Sequence, residues 1–322
     1  FLLFAATHSA SPRKDYLQVK FKLLILIVLT AGLAACQNEQ ESDPAQRVAE
    51  IASEFVSDWY ERYPAEGAEA GFPRAPLDHF GDNSREGIAR FDARIDAWLA
   101  ELDRMDPAEL AGTPAARTWM FTTERLQAIV DKRVCRMDLW NVSPTWTGWQ
   151  SRMISALAVQ PVETDDDRDV ALSRARDIPR YIDTEISNLR RGLESGYVAP
   201  ASNVTAVLTQ IESLVETPVE ESPFYSPAAR AGNEEFAADY QQVIDSAVTP
   251  ALLRYRDFLA DSYRGRDLIG VAGNPEGAAC YEASVRDYSS LRMSAEDIHR
   301  AGLTQMSRIH AEMLAIAKEH FG

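Results

Sequence analysis

The chain has 322 residues, of which 46% are hydrophobic and 25% are charged, and its formal net charge is −16. This apolar fraction is sufficient for a folded core and argues against a disordered chain. Because so negative a chain repels nucleic-acid phosphates, we expect no nucleic-acid partner. The length fits one large domain or two of ordinary size.

The first predicted element is an apolar run at residues 23–35, which follows Lys20 and Lys22 and ends in small residues before Cys36. The run is shorter than the roughly 20 residues that a membrane-spanning helix needs. Basic, apolar and small segments in this order are typical of a secretory signal peptide. Residues 33–36 (LAAC) resemble the lipobox of bacterial lipoproteins, in which the cysteine is lipidated and becomes the mature N-terminus. The alternative is a buried strand or helix with an ordinary cysteine.

This pattern predicts a signal peptide at residues 19–36, a polar tether at 37–44 and a helical domain at 45–322. Residues 1–18 are predicted to be a non-native leader, because a valine codon at Val19 can initiate translation in bacteria. Gln37, rather than Asp, follows the cysteine; by resemblance to Gram-negative lipoproteins this favours the outer membrane. We therefore predict a lipid-anchored protein of the bacterial cell envelope, facing the periplasm.

Beyond the tether, apolar residues recur at the three- and four-residue steps that are typical of amphipathic helices. The first stripe contains Ile88, Phe91, Ile95, Trp98, Leu99 and Leu102. A second contains Val204, Val207, Leu208, Ile211, Leu214 and Val215, with Ser202 or Asn203 as the expected N-cap. A third runs through Phe236, Tyr240, Val243, Ile244 and Ala247 up to Pro250, which is expected to break or kink it.

The last predicted helix begins at a capping box formed by Ser294 and Asp297. Its apolar face is formed by Ile298, Gly302, Met306, Ile309, Met313 and Ile316. Signals for strands are scarce, with few period-two runs and no Asn-Gly or Asp-Gly turn. The sequence therefore predicts an all-α fold.

Signatures of catalysis are missing from the sequence. It contains no Gly-x-Ser-x-Gly elbow, phosphate loop, dinucleotide-binding glycines or H-E-x-x-H. His299 and His310 are eleven residues apart, which corresponds to roughly 16 Å along a helix and is too far for one shared ion. We therefore predict no catalytic residue and no metal ligand in this chain.

Two cysteines, Cys135 and Cys280, remain if Cys36 is lipidated. The cell envelope permits disulfides, so an even pair favours a bond between them. The alternative is two buried free thiols, which is a common state for cysteine.

Four segments taken together resemble a known family. They are DLWNVSP at 138–144 with GW at 148–149, RRGLESGY at 190–197, NPEGAACY at 274–281 and MSAEDIH at 293–299. In order and spacing they resemble the bacterial "domain of unknown function 885" family, over roughly Ala45 to Gly322. Members of that family are similar to all-helical zinc metallopeptidases, whose zinc is bound by an H-E-x-x-H helix and a downstream glutamate.

In the family, that helix lies beyond the region matched here. The resemblance therefore implies a multi-helix array of the zinc-metallopeptidase type, incomplete at its C-terminus. It also implies that the full-length protein is a zinc-dependent peptidase acting on peptides, while this chain supplies a non-catalytic N-terminal part that binds no zinc. The alternative is a non-enzymatic helical lipoprotein that binds a peptide or protein partner.

The segment at 277–302 is the best candidate for contact with a substrate. Tyr281, Arg286 and His299 could hold a peptide carboxylate or carbonyl. The alternative is that Tyr281 belongs to the core, Arg286 pairs with an acid and His299 serves the helix start. If the chain is one part of a larger domain, the last helix should also leave an apolar surface exposed.

Overall fold

A computed structural model describes residues 43–321, and within this range the chain contains thirteen α-helices and no β-strand. The predicted all-α fold is confirmed. The predicted leader, signal peptide, Cys36 and residues 37–42 of the tether lie outside the described residues. None of the described helices is long and apolar enough to cross a membrane.

The helices are α1 (Pro44–Arg62), α2 (Pro64–Glu69), α3 (Arg85–Leu102), α4 (Pro107–Leu110), α5 (Pro114–Lys132), α6 (Trp149–Ala158), α7 (Asp165–Ser195), α8 (Ala201–Glu216), α9 (Ser226–Ala231), α10 (Glu234–Val243), α11 (Thr249–Asp257), α12 (Gly277–Ser289) and α13 (Ala295–Phe321).

Two apolar cores hold the helices together. The smaller one joins α1, α3, α4 and α5 and contains the predicted stripe of α3; its buried members are Val48, Ile51, Ile95, Trp98, Leu102, Leu110 and Leu126. The larger one joins α6, α7, α8, α10 and α11. Each helix contributes one apolar face, so burial of these stripes away from water is the main stabilising term.

The longest helix that packs into the larger core is α7. Its N-terminus is a capping box, in which the Thr164 side chain accepts from the backbone of Asp167 and the Asp167 side chain accepts from the backbone of Thr164. Three acidic residues occupy the first turn, where they are stabilised by the helix dipole. The helix ends at Gly196, whose φ of 77° is a left-handed conformation that glycine adopts readily.

Two predicted boundaries are corrected by the structure. Helix α8 begins at Ala201, directly after Pro200, and not after Ser202 or Asn203. The Asn203 amide instead donates to the Val142 carbonyl oxygen at 3.1 Å, so it serves a contact between segments. The predicted break at Pro250 does not occur, because a π-helical turn at Ile244–Val248 connects α10 to α11. Pro250 lies in the first turn of α11, where its missing N–H costs no helical hydrogen bond, and the alternative of a kink stays a prediction.

Helix α13 leaves the body of the fold. It begins as predicted, with Ser294 Oγ accepting from the Asp297 backbone N–H at 3.1 Å and donating to its carboxylate at 2.7 Å. Over 27 residues it has no buried side chain among the described contacts. An amphipathic helix of this length therefore presents its apolar face to solvent.

Candidate functional site

The three residues predicted to face a substrate do not form one site. Tyr281 and Arg286 are five positions apart on α12, which places them on different faces of the helix. Tyr281 is 47% exposed, whereas Arg286 is buried. His299 lies on α13 and is exposed. Substrate binding by this trio stays a prediction, for which the three side chains would have to come together.

Arg286 is engaged by carboxylates of α5. Its Nε and Nη2 atoms donate to the two carboxylate oxygens of Glu124 at 2.7 and 2.6 Å, and Nη1 donates to Asp131. The bond to Glu124 is the main reason that the pKa of Arg286 is raised. This is the acid pairing that we considered as the alternative role, and a substrate carboxylate would have to displace it.

Other contacts also fix α12 to the end of α5. The structure joins Cys135 and Cys280 by a disulfide, with Cα atoms 4.7 Å apart, which is within the usual range for such bonds. Asp287 of α12 pairs with both Arg125 and Lys132. Together these contacts give the α5–α12 junction a structural role. Formation of the disulfide in the exported protein stays a prediction.

A buried carboxyl that the sequence analysis missed lies at the centre of the fold. Glu185 of α7 is only 4% exposed. Its Oε1 accepts from Asn83 Nδ2 at 2.8 Å, while Oε2 has no hydrogen-bond partner within residues 43–321. Burial raises the pKa of Glu185 to about 7, against the opposing effects of the Asn83 bond and the positive charge of Arg62.

Polar side chains along the inner face of α7 hold a loop against this helix. The loop at residues 73–83 has no regular structure of its own, so its backbone groups need partners. Arg174 donates to the Pro76 carbonyl oxygen at 3.0 Å, Asp177 accepts from the Phe80 N–H at 2.8 Å, and Asn188 donates to the Asn83 carbonyl oxygen at 2.9 Å. Burial lowers the pKa of Arg174 to about 10. These bonds explain why charged residues occupy the inner face of α7.

A small cleft opens beside Tyr181, one turn before Glu185. Its volume is about 40 Å³, and its lining comes from α1, α2, α6, α7 and the loop at residues 73–83. The polar lining residues are Arg62, Tyr63, Glu66, Arg152, Trp149 and Tyr181. Arg152 pairs with Glu66, whereas Arg62 makes neither an ion pair nor a hydrogen bond in the described part of the chain. The cleft is thus an electropositive pocket with aromatic walls.

Comparison with known families decides the affiliation of the chain. Residues 64–322 match the family described as "Bacterial protein of unknown function (DUF885)". The chain belongs to this family. No curated protein sequence matches it.

A solved structure supports the fold. It is the putative lipoprotein from Colwellia psychrerythraea, which superimposes with a TM-score of 0.70 at 12% sequence identity. The match covers 86% of this chain and 51% of the other. The chain therefore spans about half the length of that protein, and the likeness at this identity establishes the shared fold.

The zinc that the DUF885 resemblance implies does not fit the residues of this site. Between residues 43 and 321, no group of three or more His, Cys, Asp and Glu side chains is arranged to hold a metal ion. His299 and His310 both lie exposed along α13. Near the cleft, Glu66 and Glu185 are engaged by Arg152 and Asn83. No step of a metal-assisted reaction is therefore assigned to these residues.

Proposed function

We propose that this chain is the N-terminal, non-catalytic part of a zinc-dependent peptidase of the bacterial envelope. In this proposal a lipid on Cys36 anchors the protein to the outer membrane, and the body faces the periplasm. The zinc ligands and the residue that activates water belong to a C-terminal part outside residues 1–322. The described helices then act as the scaffold on which that part packs.

The observation that carries this proposal is the exposed apolar face of α13. Its apolar side chains recur at helical spacing, yet each is about half exposed or more; among them are Leu303, Met306, Ile309, Met313, Leu314 and Ile316. A stripe of this length on a soluble domain is ordinarily buried against another element. Large exposed apolar surfaces mark sites of interaction.

The solved relative gives a second support. Because this chain corresponds to only about half of that protein, a fold of this type can include a further portion of similar size. Such a portion would supply the cover that α13 lacks. On this account, residues 37–322 alone neither bind zinc tightly nor hydrolyse peptides.

The same apolar face also favours a second function. A lipoprotein without enzymatic activity could use α13 to bind a peptide or another protein, in the way that amphipathic helices dock into apolar grooves. The two functions differ in what covers the face: a C-terminal part of the same polypeptide or a separate partner.

Sequencing the gene beyond the Gly322 codon separates the two functions. An H-E-x-x-H in the continuing frame, followed by a glutamate on a later predicted helix, is the result that the peptidase proposal expects. A stop codon directly after Gly322 in an intact genome contradicts it and favours the partner-binding lipoprotein.

A further inference from the structure

The cleft beside Tyr181 carries one net positive charge. Arg62 and Arg152 line it together with a single acid, Glu66. Both oxygens of Glu66 are used, one by Arg152 and the other by the Trp59 indole N–H at 3.1 Å. Arg62 is therefore left without a carboxylate partner among the described residues, although the chain as a whole is strongly acidic.

The polar groups of the cleft that lack partners are hydrogen-bond donors. Within residues 43–321, neither the Arg62 guanidinium nor the Tyr181 hydroxyl makes a hydrogen bond to another residue. Burial, and then the nearby Glu185, raise the pKa of Tyr181, so its hydroxyl keeps its proton. A guanidinium and a phenol offered together select a ligand that accepts hydrogen bonds and carries negative charge.

The size of the cleft restricts this ligand to a small group. A volume of about 40 Å³ is about three times the roughly 10–15 Å³ that a cavity needs to hold one water molecule. A carboxylate fits such a space, whereas a nucleotide or a sugar ring does not. Phe80 and Met153 form apolar walls, so the rest of the ligand must leave through the mouth.

An exposed aromatic residue lies beside Arg152, one of the two arginines that line the cleft. Trp146 is 73% exposed, and its ring centroid is 5.6 Å from Cζ of Arg152, which lines the cleft. An indole held in place beside a cation offers a flat apolar surface at the edge of the site. Exposed tryptophans of this kind are enriched where proteins bind ligands or partners.

We propose that this cleft binds the C-terminal carboxylate of a peptide. Arg62 and Tyr181 hold the carboxylate, and Trp146 packs against the side chain of the last residue. The choice of a peptide rests on the proposed peptidase function, and the proposal deepens it by assigning recognition of a free chain end to the N-terminal part. Arg62 would then select substrates with a free C-terminus, and it takes no part in bond cleavage.

Titration of the purified chain with N-acetyl-leucine and N-acetyl-leucinamide, followed by ligand-observed NMR, tests the proposal. The two probes differ only in the carboxylate. The acid is expected to bind at least tenfold more tightly than the amide at pH 7. In Arg62→Met the affinity for the acid should fall to that for the amide. Trp146→Ser should lower the affinity for both probes by the same factor.

A matched control is Arg74→Met, which removes an arginine that does not line the cleft and should leave both affinities unchanged. Circular dichroism checks that Arg62→Met is folded, as expected for a residue without ion pairs. If Arg62→Met does not fold, Tyr181→Phe takes its place, and a several-fold weaker binding of the acid alone is expected. Equal affinity for acid and amide in the wild-type chain overturns the proposal, as does unchanged discrimination in the folded variant.

Neither zinc nor hydrolysis enters this experiment, so its outcome is separate from that of the peptidase proposal. If the chain prefers the acid but its longer form has no peptidase activity, the carboxylate-binding proposal stands and the peptidase proposal is wrong. If the longer form has peptidase activity but the chain shows no preference for the acid, the peptidase proposal stands and the carboxylate-binding proposal is wrong.

Discussion

Glu185→Gln replaces the buried carboxyl with a neutral group of the same shape. The glutamine carbonyl oxygen can keep the bond from Asn83, which is 2.8 Å in length. Its amide group takes the position of Oε2, which has no hydrogen-bond partner in the described structure. The substitution therefore removes the ability to ionise while it preserves the packing.

The gain in the free energy of unfolding that we expect from Glu185→Gln depends on pH. The folded pKa of about 7 lies above the ordinary value of 4.5, so folded Glu185 retains its proton between these pH values while the unfolded chain releases it. The stability that this group contributes is therefore complete below about pH 4.5 and is lost as the pH rises towards 7. A shift of this size corresponds to about 3 kcal/mol. We expect Glu185→Gln to gain up to that amount relative to wild type between pH 5 and pH 8.

Urea unfolding at both pH values, followed by circular dichroism, measures this difference. Any fixed cost of the buried amide group appears at both pH values and cancels in the comparison. Glu194→Gln on the same helix is the matched control; because Glu194 is exposed, we expect no pH-dependent gain from it. If the difference between Glu185→Gln and wild type is the same at pH 5 and pH 8, the assignment of a buried, titrating Glu185 is wrong.

Three further predictions concern the disulfide, the ion pairs and the last helix. In protein exported to the periplasm, thiol labelling in denaturant should find Cys135 and Cys280 unreactive until a reductant is added; two reactive thiols without reductant contradict the bond. Arg286→Met should lower the free energy of unfolding by about 2 kcal/mol, less than for a fully buried pair because its carboxylates are partly exposed, and an unchanged urea midpoint contradicts this. Replacing Met306 and Met313 by serine should reduce binding of the dye ANS and change the free energy of unfolding by no more than about 0.5 kcal/mol; undiminished dye binding would place the exposed apolar surface elsewhere.

The helices with clear apolar periodicity were predictable from the sequence. The stripe at Ile95, Trp98 and Leu102 is buried as its spacing indicates. The cap at Ser294 and the exposed face of α13 also agree with the pattern. In the α3 stripe the local pattern and the tertiary packing favour the same structure, and in α13 the cap is formed by residues close in sequence, so a single sequence is sufficient.

The buried centre of α7 could not be predicted in the same way. An acid within a helix ordinarily indicates a solvated face, and the group that binds Glu185 is Asn83, 102 residues earlier in the chain. The sequence did contain one indication that Glu185 is buried. Glu185 lies between Ile182 and Leu189 at helical spacing, at a position where an apolar residue would continue the buried stripe. The cleft at Arg62 gave no such signal, since its walls come from four separate helices and a loop.

The predicted trio of Tyr281, Arg286 and His299 shows a different limit of sequence analysis. Residue types suited to binding a carboxylate were correctly noted, but the partners of Arg286 lie on α5, more than 150 residues away. Sequence alone does not tell which acid satisfies a buried arginine. The arginine of the cleft that has no ion pair among residues 43–321 is Arg62, which lies in a segment without any motif.

The most direct test of the proposed function is a measurement of peptide hydrolysis. The product of the whole reading frame and residues 37–322 alone are assayed side by side, each with added zinc and with a chelator. We predict zinc-dependent turnover by the whole product and none by residues 37–322. Zinc-dependent turnover by residues 37–322 alone, or its absence from the whole product, would contradict the account.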